Sequence, residues 1–195
     1  METHNGIKTL LAKTRKEWRK WLEKNHRSEK SVWLIIYHKD GPVKTVNYDE
    51  AVEEAICFGW IDSIAHKRDK DSKYQFFAQR KPRSNWSKKN RERAEKMMRE
   101  GLMTPSGQQL VDLARKTGTW EALVNVQHAV IPDDLQEMLN KNKKALKNFS
   151  EFPPSSKRII LEWILNAKKT ETRKKRIEET VRLAEKNIKA NHYRQ

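Results

Sequence analysis

At 195 residues and a formal net charge of +16, the chain is long enough for one large or two small domains and basic enough to attract polyanions. Hydrophobic and charged residues make up 36% and 35%, but seven Trp, five Phe and four Tyr supply enough bulky apolar surface to exclude a disordered chain. A single cysteine, Cys57, excludes an internal disulfide and a cysteine-based zinc cluster, and its apolar setting (AICFGW) marks it as a buried thiol.

The N-terminal stretch lacks the apolar core of a signal peptide, and no stretch approaches the roughly 20 apolar residues of a membrane span. The cytoplasm is therefore the expected compartment. In chain order, Thr14 and Glu17 form a capping-box pattern ahead of Trp18, Trp21, Leu22 and Asn25, which predicts a helix over 15–25 with one aromatic face. SVWLIIYHK (31–39) reads as a buried strand, Asp40-Gly41-Pro42 as a turn and VKTV (43–46) as a short return strand. Asn47 and Glu50 cap a helix from Tyr48 to Phe58, and Gly59 suits the left-handed position that ends it.

Trp60–His66 and Tyr74–Arg80 form a hairpin around a polar loop, with Pro82 ending the second strand. Period-two alternation puts Trp60, Asp62, Ile64 and His66 on one face. Ser84 or Asn85 caps a helix to about Glu100, and Thr104-Pro105 opens another that stops at Gly118. The rest is helical: Pro132 to about Asn148, a break at Pro153-Pro154, a helix starting at Ser155 or Ser156, and a last one capped by Thr170. Strands confined to roughly 31–80 and helices after them predict an α+β fold: a small antiparallel sheet with helices, then a helical C-terminal region. The expected division is 1–120 for the α+β domain with its aromatic, basic hairpin and 121–195 for the helical region.

Several phrases, EAICFGWIDS (54–63), Arg80 with Ser84-Asn85-Trp86-Ser87, MTPSGQQLVDLARKTGTW (103–120), DDLQEMLNKNKKALKNF (133–149) and PSSKRIILEWILNAKKTETRKKRIEETVRLAEKN (154–187), resemble the YdeI/OmpD-associated family, also described as bacteriocin-protection proteins. The resemblance implies a cytoplasmic bacterial protein with a YjbR/CyaY-like N-terminal part and a helical family-specific region. It implies a role in tolerance of antimicrobial or envelope stress, and it names no reaction or catalytic residue.

Segment 67–99 carries 13 Lys/Arg against 4 Asp/Glu, so an anion site in the first half is expected there. The candidate surface is Trp60, Asp62, Arg80, Lys81, Arg83, Trp86 and Lys88. In the functional reading the two tryptophans wall a pocket, the basic residues bind an anion and Asp62 orients an arginine. In the structural reading Asp62 pairs with Arg80 and both indoles belong to the core. A basic loop running into a helix start suits anions, and aromatic residues among basic ones suit single-stranded nucleic acid. Segment 141–194, with 16 Lys/Arg and 6 Asp/Glu, reads as a solvated, salt-laced helical face. Glu53-Glu54, Asp133-Asp134 and Glu178-Glu179 read as helix surface or as complements of a helix N-terminal dipole rather than acid–base pairs.

No histidine lies at metal-ligand spacing, and the phosphate-loop, dinucleotide and nucleophile-elbow motifs are absent. No catalytic residue, metal or cofactor is assigned. The preferred reading is a non-enzymatic binder of an anionic small molecule or partner; alternatives are a nucleic-acid-binding protein and an enzyme acting on a small anion in an arginine-lined pocket. A direct grip on cationic bacteriocins is disfavoured, because like charges repel.

Overall fold

The computed structural model describes residues 2–192, which divide into two compact units between Glu121 and Ala122. The fold is α+β. In the first unit the elements are β1 (Thr3–His4), β2 (Ile7–Leu11), α1 (Arg15–Asn25), β3 (Ser31–Tyr37), α2 (Tyr48–Cys57), β4 (Trp60–Lys67), β5 (Ser72–Gln79), α3 (Lys88–Arg99) and α4 (Pro105–Thr117). The sheet order is β1-β2-β3-β5-β4. It is mixed rather than antiparallel, since β2 runs parallel to β3 while β3–β5 and β4–β5 are antiparallel.

Two strands precede those expected from the sequence. Asn5 and Gly6 both take positive φ, 50° and 74°, the conformation of a two-residue hairpin turn. The 43–46 segment, in contrast, is no strand. The edge of β3 beyond Tyr37 is closed instead by the Thr45 hydroxyl, which accepts from the Tyr37 amide, while the Val46 amide donates to Ala12.

One capping box forms in full and the other by half, since the Glu17 carboxylate accepts from the Lys13 amide rather than from Thr14. Thr14 accepts from the Glu17 amide, and Asn47 with Glu50 makes a reciprocal box that starts α2. Gly59 ends α2 at φ +75°, where a Cβ would also crowd Leu110 and Ser106 of α4. Trp18 and Leu22 of α1 and most of α2 pack with Val32, Leu34, Phe77 and Trp60 in one core. The start of α3 lies later than expected, because Ser87 rather than Ser84 or Asn85 accepts the capping bond.

The hairpin departs from simple alternation. Asp62 faces Phe77 and Ala65 faces Gln75, so β4 advances three residues while β5 advances two. This bulge breaks the shared face expected of Trp60, Asp62, Ile64 and His66. Ile64 is exposed, and His66 instead joins His4, Trp33 and Tyr74.

The second unit holds α5 (Val124–Gln127), α6 (Asp133–Asn140), α7 (Lys143–Glu151), α8 (Pro154–Leu165) and α9 (Thr170–Glu185) around a core that includes Leu135, Phe149, Ile160 and Ile164. The single helix expected from Pro132 to Asn148 is two, because Asn142 takes an extended conformation and caps α7 through the Ala145 amide. Asp134 is no idle surface acid: Arg173 of α9 grips both its oxygens at 2.6 and 2.8 Å, which holds its carboxyl below the usual range. Within α9, Glu171 pairs with Lys175 at 2.8 Å and Glu178 with Lys174 at 4.0 Å.

Candidate functional site

The hairpin places the sequence-derived residues in two groups. Trp60 and Trp86 are core side chains, 1% and 2% exposed, so neither is an open wall. The Trp60 indole donates to the His26 carbonyl and meets Trp21 edge-on, while Trp86 packs on Trp120 at 5.0 Å. Lys81, Arg83 and Lys88 are exposed on the loop and the first turn of α3. The structural alternative fails in its other half. Asp62 does not pair with Arg80; it accepts from the Tyr48 hydroxyl at 2.6 Å. The cause is register: β4 begins opposite Gln79, which leaves Arg80 beyond the paired strands. Burial and the bond to Asp62 push the Tyr48 phenol up to about 12.

Arg80 is the unusual residue. It is 6% exposed, and its guanidinium stacks on Trp86 at 3.8 Å and donates one bond, from Nη2 to the Asn85 carbonyl at 2.6 Å. Its Nε and Nη1 are buried without a partner. Burial pushes its pKa down to about 10 against a weaker upward pull from Asp62, so it keeps its charge at neutral pH. Arg80 lies in the wall of a cleft of about 350 Å³ with His26, Arg27, Gln79, Ser106 and Gln109.

A second, larger cleft of about 940 Å³ opens beside the N-terminus of α2. Sequence reasoning missed it. Its acids are already engaged: Asp49 by Arg93, Glu50 in the capping box, and Glu53 by Arg15 and Lys96. Lys39, Lys44 and Lys73 line the same cleft, and none makes an ion pair among the described residues. Lys73 stands over the Tyr48 ring at 5.0 Å. The available signal was Lys39 and Lys44 flanking the Asp40-Gly41-Pro42 turn, which holds two cations on one short loop.

The pair Glu53-Glu54 corrects the surface reading of those acids. Both are buried, and Glu54 binds Arg15 at 2.6 Å and Arg19 at 2.7 Å. They join α1, α2 and α3 and form no acid–base dyad. Cys57 is buried as expected, with its thiol pushed up to about 12 chiefly by desolvation. Two histidines converge, His4 Nε2 and His66 Nδ1 at 2.8 Å, but no group of three potential metal ligands occurs among the described residues. No helix among them is long and apolar enough to cross a membrane.

Residues 10–110, which hold both clefts, match the model of a domain of unknown function (DUF8412). The chain belongs to this family. Residues 128–187 match the family described as bacteriocin-protection, YdeI or OmpD-associated, which supports a protein of the bacteriocin-protection type. The resemblance drawn from phrases along the whole chain is thus carried by the second unit, while the DUF8412 domain accounts for most of the first. Neither the curated proteins nor the solved structures contain a match to the chain.

Proposed function

We propose that the protein is a cytoplasmic, non-enzymatic binder of an anionic ligand, and that this binding underlies a role in tolerance of antimicrobial or envelope stress. One observation supports the reading above all. Lys39, Lys44 and Lys73 rim a single open cleft without a carboxylate partner, while every acid in that cleft is engaged. Unpaired cations around a concavity focus positive potential and raise the local concentration of anions. The bacteriocin-protection match of the second unit supports the biological role, and the lone cysteine suits a reducing compartment. Because the chain is strongly cationic, protection acts through the anion rather than by capture of a cationic peptide.

The test uses inorganic tripolyphosphate as probe and the triple variant Lys39→Glu, Lys44→Glu, Lys73→Glu. The wild-type chain is expected to bind it with an affinity that falls steeply with salt, and the variant to bind at least about tenfold more weakly. Equal affinities would remove the cleft from the function. A bacterium carrying the variant should then survive a cationic antimicrobial peptide no better than one lacking the protein.

A further inference from the structure

Arg80 is the one buried Lys or Arg among the described residues, and no carboxylate reaches it. A charge taken out of water without a counter-ion is costly, and unmade donors on it add to that cost. The cleft it helps to wall contains a second arginine, Arg27, and no Asp or Glu at all. It is thus an acid-free pocket beside a fixed cation.

The N-terminus of α4 opens onto the same cleft through Ser106 and Gln109. Thr104 precedes this 13-residue helix but caps nothing, because its hydroxyl donates to the Cys57 carbonyl at 2.6 Å. The first-turn amides therefore lack a side-chain acceptor, and the Ile56 and Cys57 carbonyls that end α2 lie against Gly107 of that turn. His26 adds a further adjustable group. Its Nδ1 donates to the Leu22 carbonyl at 2.8 Å, and its Nε2 exchanges a hydrogen bond with the Ser106 hydroxyl at 3.1 Å. With Nδ1 donating, Nε2 accepts from that hydroxyl.

We propose that this cleft binds the phosphate group of a small phosphorylated molecule, with Arg80 as the buried counter-ion and Arg27, Ser106 and the first turn of α4 as further donors. Phosphate suits this set because it accepts from arginine, hydroxyl and helix amides at once. Phe58 and Leu110 supply an apolar wall for the carbon skeleton, and about 350 Å³ leaves room for a few carbons beyond the phosphate. This site is separate from the lysine-rimmed cleft: the two share no lining residue.

The full chain is titrated with inorganic phosphate and with glycerol phosphate at constant ionic strength, read by calorimetry and by melting temperature. Saturable binding is expected, weakened at least about tenfold in Arg80→Met and in Arg27→Glu and changed by no more than about twofold in the triple lysine variant. Arg27 is exposed, so Arg27→Glu decides the matter if Arg80→Met fails to fold. Undiminished binding in both arginine variants, or no saturable binding by the wild type, overturns the site. Loss confined to the lysine variant also overturns it, while leaving the lysine cleft as the anion site.

Discussion

The first unit handles its inward-facing arginines in two opposite ways. Arg15 and Arg19 lie on α1 and meet Glu53 and Glu54, which α2 presents one helical turn deep in the core. Each guanidinium there is matched by a carboxylate, and each keeps about a quarter of its side chain in water. Arg80, at the end of β5, is more deeply buried and has only a carbonyl and an indole face. The first arrangement completes itself within the fold, whereas the second leaves donors unmade. An uncompensated buried cation is what distinguishes a place that awaits a ligand from a place that fastens helices together.

Removing the matched acid should have the largest effect. Glu54→Leu takes from Arg19 its closest carboxylate and from Arg15 one of two, and should cost about 3 kcal/mol in urea unfolding, since it breaks a buried pair from one side. A loss below about 1 kcal/mol would mean that the network is solvated and the contrast is false. Arg80→Met should behave differently. The methionine keeps the stem on Trp86 and removes the unmatched charge, so stability should change by less than about 1 kcal/mol in either direction. If Arg80→Met costs as much as Glu54→Leu, Arg80 is a structural cation and the two regions are alike.

The smallest effect concerns the acid that Arg80 does not use. Asp62 holds Tyr48, whose phenol stands above its unfolded value of 10 at about 12. A raised phenol favours folding while it stays protonated. Its contribution is present below about pH 10 and is lost as pH climbs through 12. Tyrosinate absorbance should show one late-titrating tyrosine in the wild type. Asp62→Asn should bring it back toward the ordinary value; no change would mean that burial alone holds Tyr48 up.

Local signals foretold local structure. The Thr14 cap and the Asn47/Glu50 box formed because a cap needs only four consecutive residues. Gly59 took its left-handed turn for the same reason. Asn5-Gly6 carried an equally strong hairpin signal for β1 and β2, which was readable but passed over. The bulge between Asp62 and Ala65 was not readable, since an extra residue in the short mixed run Asp62-Ser63-Ile64-Ala65 leaves no mark in the sequence. The burial of Glu53 and Glu54 was equally hidden. Nothing in the run VEEAIC (52–57) shows which helix will bring arginines to meet them.

Composition and spacing alone determined that the chain folds as α+β, that α1 and α2 begin where their caps lie, and that the chain is strongly cationic. Tertiary structure alone decided which cations found carboxylates and which did not. Charge pairing depends on strand register and helix packing across dozens of residues: the pairing that sets Asp62 opposite Phe77 leaves Arg80 three positions away, and Asp62 meets Tyr48 instead.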